Sequence, residues 1–265
     1  MSIIKRLLAL IIALGYQLFR RRAATTIVLT YHAVREHELD AFAAQMRDLR
    51  ARARVSFADD TTPPNGRPTV AVTFDDALES VVDGALPVMA AQQVPATIFV
   101  PTGYMGRDAG WMSVKGAENR PVGRVAPADR LKALDPSFVR LGSHTVSHAR
   151  LASLEPLALE QELAGSRRAL EELTGSPVKM LSLPYGIYDG RVLESARANG
   201  YRQVFANVPV GSSATGGVLR GRINVSPRDW PLEFRLKANG AYDWLTLAMP
   251  VKRALLSPFR RTERS

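Results

Sequence analysis

Cysteine is absent from the 265 residues, and histidine occurs only four times. The first absence excludes disulfides, cysteine-ligated zinc and thiol nucleophiles. The second confines all imidazole chemistry to His32, His37, His144 and His148. Acidic residues are outnumbered, 25 against 35 Lys and Arg, which leaves a net charge of +10. No internal repeat is visible, and no nucleic-acid-binding motif accompanies the basic charge. The aromatics do not interleave with the basic runs, so nucleic acid is not the expected partner.

A run long enough to cross a bilayer outright is also missing. The most apolar segment, Leu7 to Phe19, makes a helix about 20 Å long, against a hydrocarbon core of about 30 Å. Lys5, Arg6 and Arg20–Arg21–Arg22 bracket it, and those arginines stand where a signal peptide would have its small-residue cleavage site. Lys252, Arg253, Arg260, Arg261 and Arg264 form a second basic cluster at the C-terminus. Apolar segments flanked by basic residues fit an anionic lipid surface. The expectation is an uncleaved membrane anchor, interfacial or barely spanning, on the bacterial inner membrane. The competing reading is a helix of the folded core.

What is present is a hydrophobic content of 46%, enough for one large α/β domain. The β-branched run Thr26–Tyr31 predicts a buried strand, and so do Thr69–Phe74, Ala96–Val100, Phe138–Leu141, Met180–Leu183, Arg202–Ala206 and Leu219–Val225. Between them lie helical patterns. Asp40 is the expected cap of a helix with Phe42, Met46 and Leu49 on its apolar face. A helix follows Asp75–Asp76, from Ala77 to about Ala91. Pro156 opens a third and Gly175 stops it, and a fourth runs from Gly190 to Asn199. Thr61–Gly66 reads as a turn-rich loop. Residues 103–127 contain five glycines and no clear period, and read as a long insertion. Alternating strands and helices imply parallel βαβ units, wound into a sheet or barrel. Such folds carry their chemistry at the C-terminal ends of the strands. Three polar clusters fall there: Asp75–Asp76, His144 to His148, and Pro184–Tyr185–Gly186.

His144 and His148 are four apart, which on a helical turn places both rings on one face, within reach of one metal ion. Asp75 or Asp76 can supply a carboxylate ligand. Adjacent carboxylates at the end of an apolar strand repel unless something compensates them. A dication compensates one and leaves the other free for general-base work. Either Asp could instead simply cap the following helix.

Thr73-Phe74-Asp75-Asp76, Ser143-His144-Thr145-Val146-Ser147-His148 and Leu183-Pro184-Tyr185-Gly186, in that order, resemble the signature motifs of the polysaccharide deacetylases, carbohydrate esterase family four. The similarity runs from Leu29-Thr30-Tyr31-His32 to Ile223, includes Pro95–Val100, and looks closest to the exopolysaccharide branch. The resemblance implies a distorted (β/α) barrel with mostly parallel strands, in a catalytic domain over residues 23–248. Residues 1–22 are then the membrane-associating segment, and 249–265 a basic tail. It implies Asp75 as general base and Asp76, His144 and His148 as ligands of a divalent metal, usually zinc (Zn2+). Tyr185 would act through its backbone N–H on the oxyanion. No histidine follows His148, so the late histidine that donates a proton in many members is missing. His32 matches the first-strand histidine given that role in the exopolysaccharide branch; the alternative is a buried, ordering histidine. His37, amid charged residues, is expected to be solvated.

The chain departs from the family pattern in two further places. Ala77 stands where a glycine is usual. Ser182 stands where an arginine often orients the base. Arg222 aligns with a basic residue near the family's last strand, which implies binding of the base or of the glycan, with a surface arginine as the alternative; Asp229–Trp230 is similar to a later motif but takes no role. The implied activity is hydrolysis of an N-acetyl or other small N-acyl group on amino sugars of a cell-surface polysaccharide or its lipid-linked precursor. A deformylase of a lipid-linked amino sugar and a catalytically inactive glycan-binding module are the alternatives. A single Asp-Asp pair without a phosphate loop argues against a metal-dependent phosphatase.

Overall fold

The computed structural model describes residues 7, 9–15, 26–62, 67–113, 123–207 and 218–244. Its strands are β1 (Ile27–Tyr31), β2 (Arg54–Ser56), β3 (Thr69–Phe74), β4 (Ala96–Val100), β5 (Val139–Ser143), β6 (Met180–Ser182), β7 (Gln203–Ala206), β8 (Leu219–Gly221) and β9 (Ile223–Asn224). The sheet order is β8-β7-β6-β5-β4-β3-β1-β9, with β2 on β3. Every pairing between these strands is parallel. Only Arg222 separates β8 from β9, yet one pairs with β7 and the other with β1. The sheet therefore returns to its starting edge and forms a nearly closed (β/α) barrel, as the motif order implies.

The connections are α1 (Leu39–Arg52), α2 (Leu86–Ala91), α3 (Ala128–Lys132), α4 (Pro156–Thr174), α5 (Gly190–Ala198) and α6 (Pro231–Ala238). Helix α4 starts on Pro156 and stops where Gly175 turns left-handed, φ 66°. The Asp189 side chain caps α5 by accepting from Val192 N–H at 3.0 Å. Phe42, Met46 and Leu49 of α1 are buried as expected, but Asp40 is not its cap. A 3-10 turn, Glu36–Glu38, precedes the helix and puts Glu38 at the N-cap, so Asp40 lies within the first turn. The helix after the Asp pair does not begin at Ala77 either. Ala77 has φ 48°, and helical structure starts only at Glu79, passing through a π-helical turn, Val81–Ala85, into α2. Neither aspartate therefore caps a helix. Strand β2 has a single apolar residue, Val55, too little for a period-two signal.

The insertion after β4 holds two 3-10 turns, Thr102–Tyr104 and Gly110–Ser113, and two antiparallel bridges, Leu78 to Val125 and Asp108 to Arg124. Residues 63–66 of the expected loop and the C-terminal tail lie outside the described residues. So does the second half of the expected anchor. Its described part, residues 9–15, is helical, with Ala13 packed on the core and Ile11, Ile12 and Leu14 exposed. Among the described residues no helix is long and apolar enough to cross a membrane.

Strand alternation divides the core in two. Leu29, Tyr31, Val70, Val72, Phe74 and Ile98 face the helices in one large cluster. Val28, Ala71, Phe99, Met180 and Phe205 form a smaller one with Ala58. Phe99 fits there only because residue 142 is glycine: a Cβ on Gly142 would lie 2.6 Å from the Phe99 ring. The Phe99 ring in turn sits 5.3 Å beneath the Arg222 guanidinium. Above it the inner face turns polar, towards the C-terminal ends of the strands.

Candidate metal centre and catalytic site

Tyr31 pairs with Phe74 in parallel register, and Asp75 N–H donates to Tyr31 O at 3.0 Å. His32 and Asp75 thus leave adjacent strands side by side. His144 follows β5, and its N–H donates to Val100 O at 2.9 Å. Ser182 ends β6 and Arg222 follows β8, so five strand ends converge on one pocket.

Asp76, His144 and His148 gather in it, all buried, with one donor atom from each lying within 4.8 Å of the others. Asp76 Oδ1 is 3.6 Å from His144 Nε2 and 3.4 Å from His148 Nε2. Ligands about 2.0–2.1 Å from a tetrahedral zinc lie roughly 3.3 Å apart, so this spacing suits one shared ion. The donor set, two imidazole nitrogens and a carboxylate, also fits zinc and similar divalent metals. His144 Nδ1 lies 2.8 Å from Ser182 O, a carbonyl that can only accept, so Nδ1 carries the proton and Nε2 keeps its lone pair. Burial pushes the His144 pKa down, against the opposing pull of Asp75, and this too favours the neutral, ligating ring.

The two histidines do not share a helical turn. Residues 144–148 form a loop with left-handed backbone at Thr145 (φ 67°) and His148 (φ 58°). Its own polar side chains set its shape. Ser143 Oγ accepts from Thr145 N–H at 3.1 Å, and Thr145 Oγ1 accepts from His148 N–H at 3.1 Å. Glu162 of α4 accepts from the N–H groups of Val146 and Ser147, both at 2.9 Å, and from Ser147 Oγ at 2.6 Å. The rings still meet, 4.8 Å apart and nearly perpendicular.

Asp75 lies beside this ligand set in a different environment. Arg222, fully buried, donates from Nη1 to Asp75 Oδ1 and from Nη2 to Oδ2, each at 2.7 Å. Ser182 Oγ donates to Asp75 Oδ1 at 3.0 Å and accepts from Arg222 Nη2 at 2.8 Å. Asn207 Oδ1 also accepts from Nη2. Burial alone would raise the Asp75 pKa. The Arg222 charge outweighs it, aided by His144 and His32, and holds the carboxyl well below the usual carboxylate range. Asp75 is therefore an anion locked in orientation. Arg222 is neither exposed nor on the surface; it takes the place of the arginine absent at position 182, and Ser182 becomes its partner.

His32 is half-buried, and its charge acts on both Asp75 and His144. Tyr185 has φ 60° in the 3-10 turn Pro184–Gly186, and its ring meets His148 at 4.8 Å. His37 is solvated, with its side chain 66% exposed. Asp229 is buried and pairs with Lys237 at 2.7 Å. The usual glycine after the Asp pair has its reason in the φ of 48° at Ala77.

Sequence reasoning missed three neighbours. Asn207 follows β7 and is marked only by that strand-end position. Trp111 stacks on His148 at 4.3 Å and 11° from an insertion without periodicity, where a lone tryptophan was the one cue. Arg150 lies over the Tyr185 ring.

A nearly closed parallel barrel thus carries a buried Asp-His-His set and an arginine-clamped aspartate at its strand ends. The polysaccharide deacetylase family model matches residues 62–204. The chain belongs to that family. It is 26% identical over 159 residues to the Bacillus subtilis protein YxkH, whose name carries polysaccharide deacetylase as a provisional description. That match covers 60% of this chain and 52% of YxkH, so the chain spans about half the length of that relative. The deacetylase PplD of Streptococcus pyogenes, solved with acetate, superposes with a TM-score of 0.68 at 19% identity, over 82% of this chain and 99% of that one. IcaB from Ammonifex degensii gives 0.66 at 23%, over 82% and 98%. At these identities the two structures share the fold with this chain.

Proposed function

We propose that the chain is a metal-dependent hydrolase that removes an N-acetyl group, or another small N-acyl group, from amino sugars of a cell-surface polysaccharide or its lipid-linked precursor. One observation carries the reading: an ionised, arginine-clamped Asp75 stands next to a buried Asp76–His144–His148 set of metal-ligand geometry. Asp76, His144 and His148 would hold a divalent ion, most suitably zinc, which when bound supplies Lewis-acid polarisation of the acyl carbonyl and the attacking water. Asp75 accepts the proton of the water as its oxygen attacks the carbonyl carbon. The Tyr185 N–H donates to the oxygen that gains negative charge. His32 gives a proton to the amide nitrogen as the C–N bond breaks, yielding a carboxylate and the free amine. Arg222 and Ser182 fix the direction of the Asp75 lone pairs. The inactive binding module rests on the missing late histidine and on Ser182; the Arg222 clamp on Asp75 weighs against the second of these. The acetate bound to PplD supports acetyl as the group removed.

The membrane belongs to the same proposal. The apolar and basic segment before Ala23 and the basic C-terminal tail would hold the barrel beside a bacterial inner membrane, where such a glycan or its precursor is met. The catalytic reading is tested by incubating zinc-loaded protein with N-acetylated and N-formylated amino-sugar oligomers and measuring acetate and formate. Release that disappears in Asp75→Asn is expected. No release of either acid from any acylated glycan would refute it. Fractionation at low and high salt tests the anchor. A full-length protein wholly soluble at low salt would remove it.

A further inference from the structure

The rim of the pocket carries a cation that the catalytic steps leave unused. Arg150 follows the ligand His148 by two residues and is exposed. Its guanidinium carbon lies 4.4 Å from the centroid of the Tyr185 ring, and that ring contacts His148. Other arginines at this end of the barrel have carboxylate partners: Arg222 has Asp75, Arg228 has Glu38 and Arg191 has Asp189. Among the described residues no carboxylate pairs with Arg150. Glu162, the acid that faces this loop from α4, is taken up by Val146, Ser147 and the Ser147 hydroxyl. Asp75 is committed to Arg222.

An aromatic face restrains a guanidinium without consuming its donors. Arg150 is thus held in place with its N–H fork open to solvent. A second cation near a metal centre is unfavourable for the metal alone, so its use lies with an incoming anion. We infer that Arg150 is a subsite for an anionic group, a phosphate or a carboxylate, on the glycan next to the acyl-amino sugar. This rests on the deacylation reading and narrows it to acidic substrates. A guanidinium takes either group through paired N–H donors. The charge could come from the phosphodiester of a lipid-linked precursor or from a uronate in an acidic polymer.

The test uses full-length protein and three probes: neutral N-acetylglucosamine trisaccharide, a methyl phosphodiester of N-acetylglucosamine, and a disaccharide of N-acetylglucosamine with glucuronate. Calorimetry gives each Kd at two salt concentrations, and acetate release is measured separately. Wild-type protein should bind at least one charged probe about tenfold more tightly than the neutral one, less so at high salt. Arg150→Gln should lower that charged-to-neutral ratio about tenfold, and Arg150→Lys should restore part of it. Preference for the phosphodiester assigns a lipid-linked precursor; preference for the uronate assigns an acidic polymer. A ratio near one in the wild type, or one unchanged in Arg150→Gln, overturns the subsite and leaves Arg150 as a support for Tyr185. Charge-selective binding without acetate release would instead refute deacylation and keep the subsite.

Discussion

Five non-glycine residues with left-handed backbone, Asp76, Ala77, Thr145, His148 and Tyr185, lie where strands β3, β5 and β6 deliver the pocket. Away from this end, the described residues add only Gln93, just past α2. At the pocket end Asp75, Asp76, His144, His148 and Arg222 are buried. At the opposite end, pairs such as Arg54 with Asp60 and Arg140 with Asp59 keep substantial contact with solvent. A left-handed non-glycine residue costs about 1–2 kcal/mol, and buried charges seldom repay their desolvation. Stability would be better served by building both ends alike. The difference marks the pocket end as the part of the molecule shaped for something other than stability.

The sharpest way to break this contrast is to remove Arg222. Arg222→Met leaves Asp75 buried without its counter-charge and should cost about 3–5 kcal/mol in metal-free protein at neutral pH. The pH dependence should also reverse. In the wild type the Asp75 pKa is depressed, so its stabilising contribution is present above the unfolded value of about 3.9 and is lost as pH falls towards the folded value. Without Arg222, burial raises the pKa, and stability is lost as pH rises through it. Urea unfolding from about pH 2 to pH 8 reads both signs. An Arg222→Met protein as stable as wild type at pH 7 would mean that the clamp is not the source of the compensation.

Substitution of the two neighbouring aspartates sharpens the contrast within the pocket itself. Asp75→Asn should keep the metal and lower turnover by roughly two orders of magnitude or more, the range expected for loss of a general base. Asp76→Asn should lose metal affinity first, since its Oδ1 faces both imidazoles. Elemental analysis beside acetate release separates the two. Equal metal contents and equal rates would dissolve the assigned division of labour.

How much of this was legible depended on whether the signal was local. β-branched runs delimited most strands to within a residue or two, and Pro156 and Gly175 bounded α4, because these choices are made by neighbouring residues. The three motif clusters were legible for the same reason, and the structure brings Asp76, His144 and His148 of two of them together. What was illegible depended on closure. The sequence left Arg222 between the base, the glycan and the surface, and the choice falls on Asp75 only once β8 and β9 bring it across the barrel to a residue 147 positions away. The helical turn expected for His144–His148 failed because Ser143, Thr145 and Glu162 satisfy that loop's N–H groups in another shape. Spacing by four is consistent with either geometry.

The smallest effect compares one substitution at the two ends. Gln93 occupies the left-handed C′ position of a Schellman cap: Gln93 N–H donates to Ala90 O and Val94 N–H to Met89 O, both at 3.0 Å. It is exposed, and its left-handed φ of 55° suits glycine. Gln93→Gly should therefore raise stability by about 1 kcal/mol, read from the urea midpoint, with metal affinity unchanged. Ala77→Gly relieves the same kind of strain, at φ 48°, in a residue directly bonded to a proposed metal ligand. Its gain in stability should be similar or smaller, because glycine also gives the unfolded chain more freedom. The added backbone freedom should let Asp76 wander from the two imidazoles and weaken zinc binding by a few fold. A competition titration against a zinc-sensitive dye measures this for both variants. If Ala77→Gly binds zinc as tightly as wild type while gaining the same stability as Gln93→Gly, the strain beside Asp76 is not used to hold the ligand. The left-handed residues of the pocket would then be a consequence of the turn rather than part of the site.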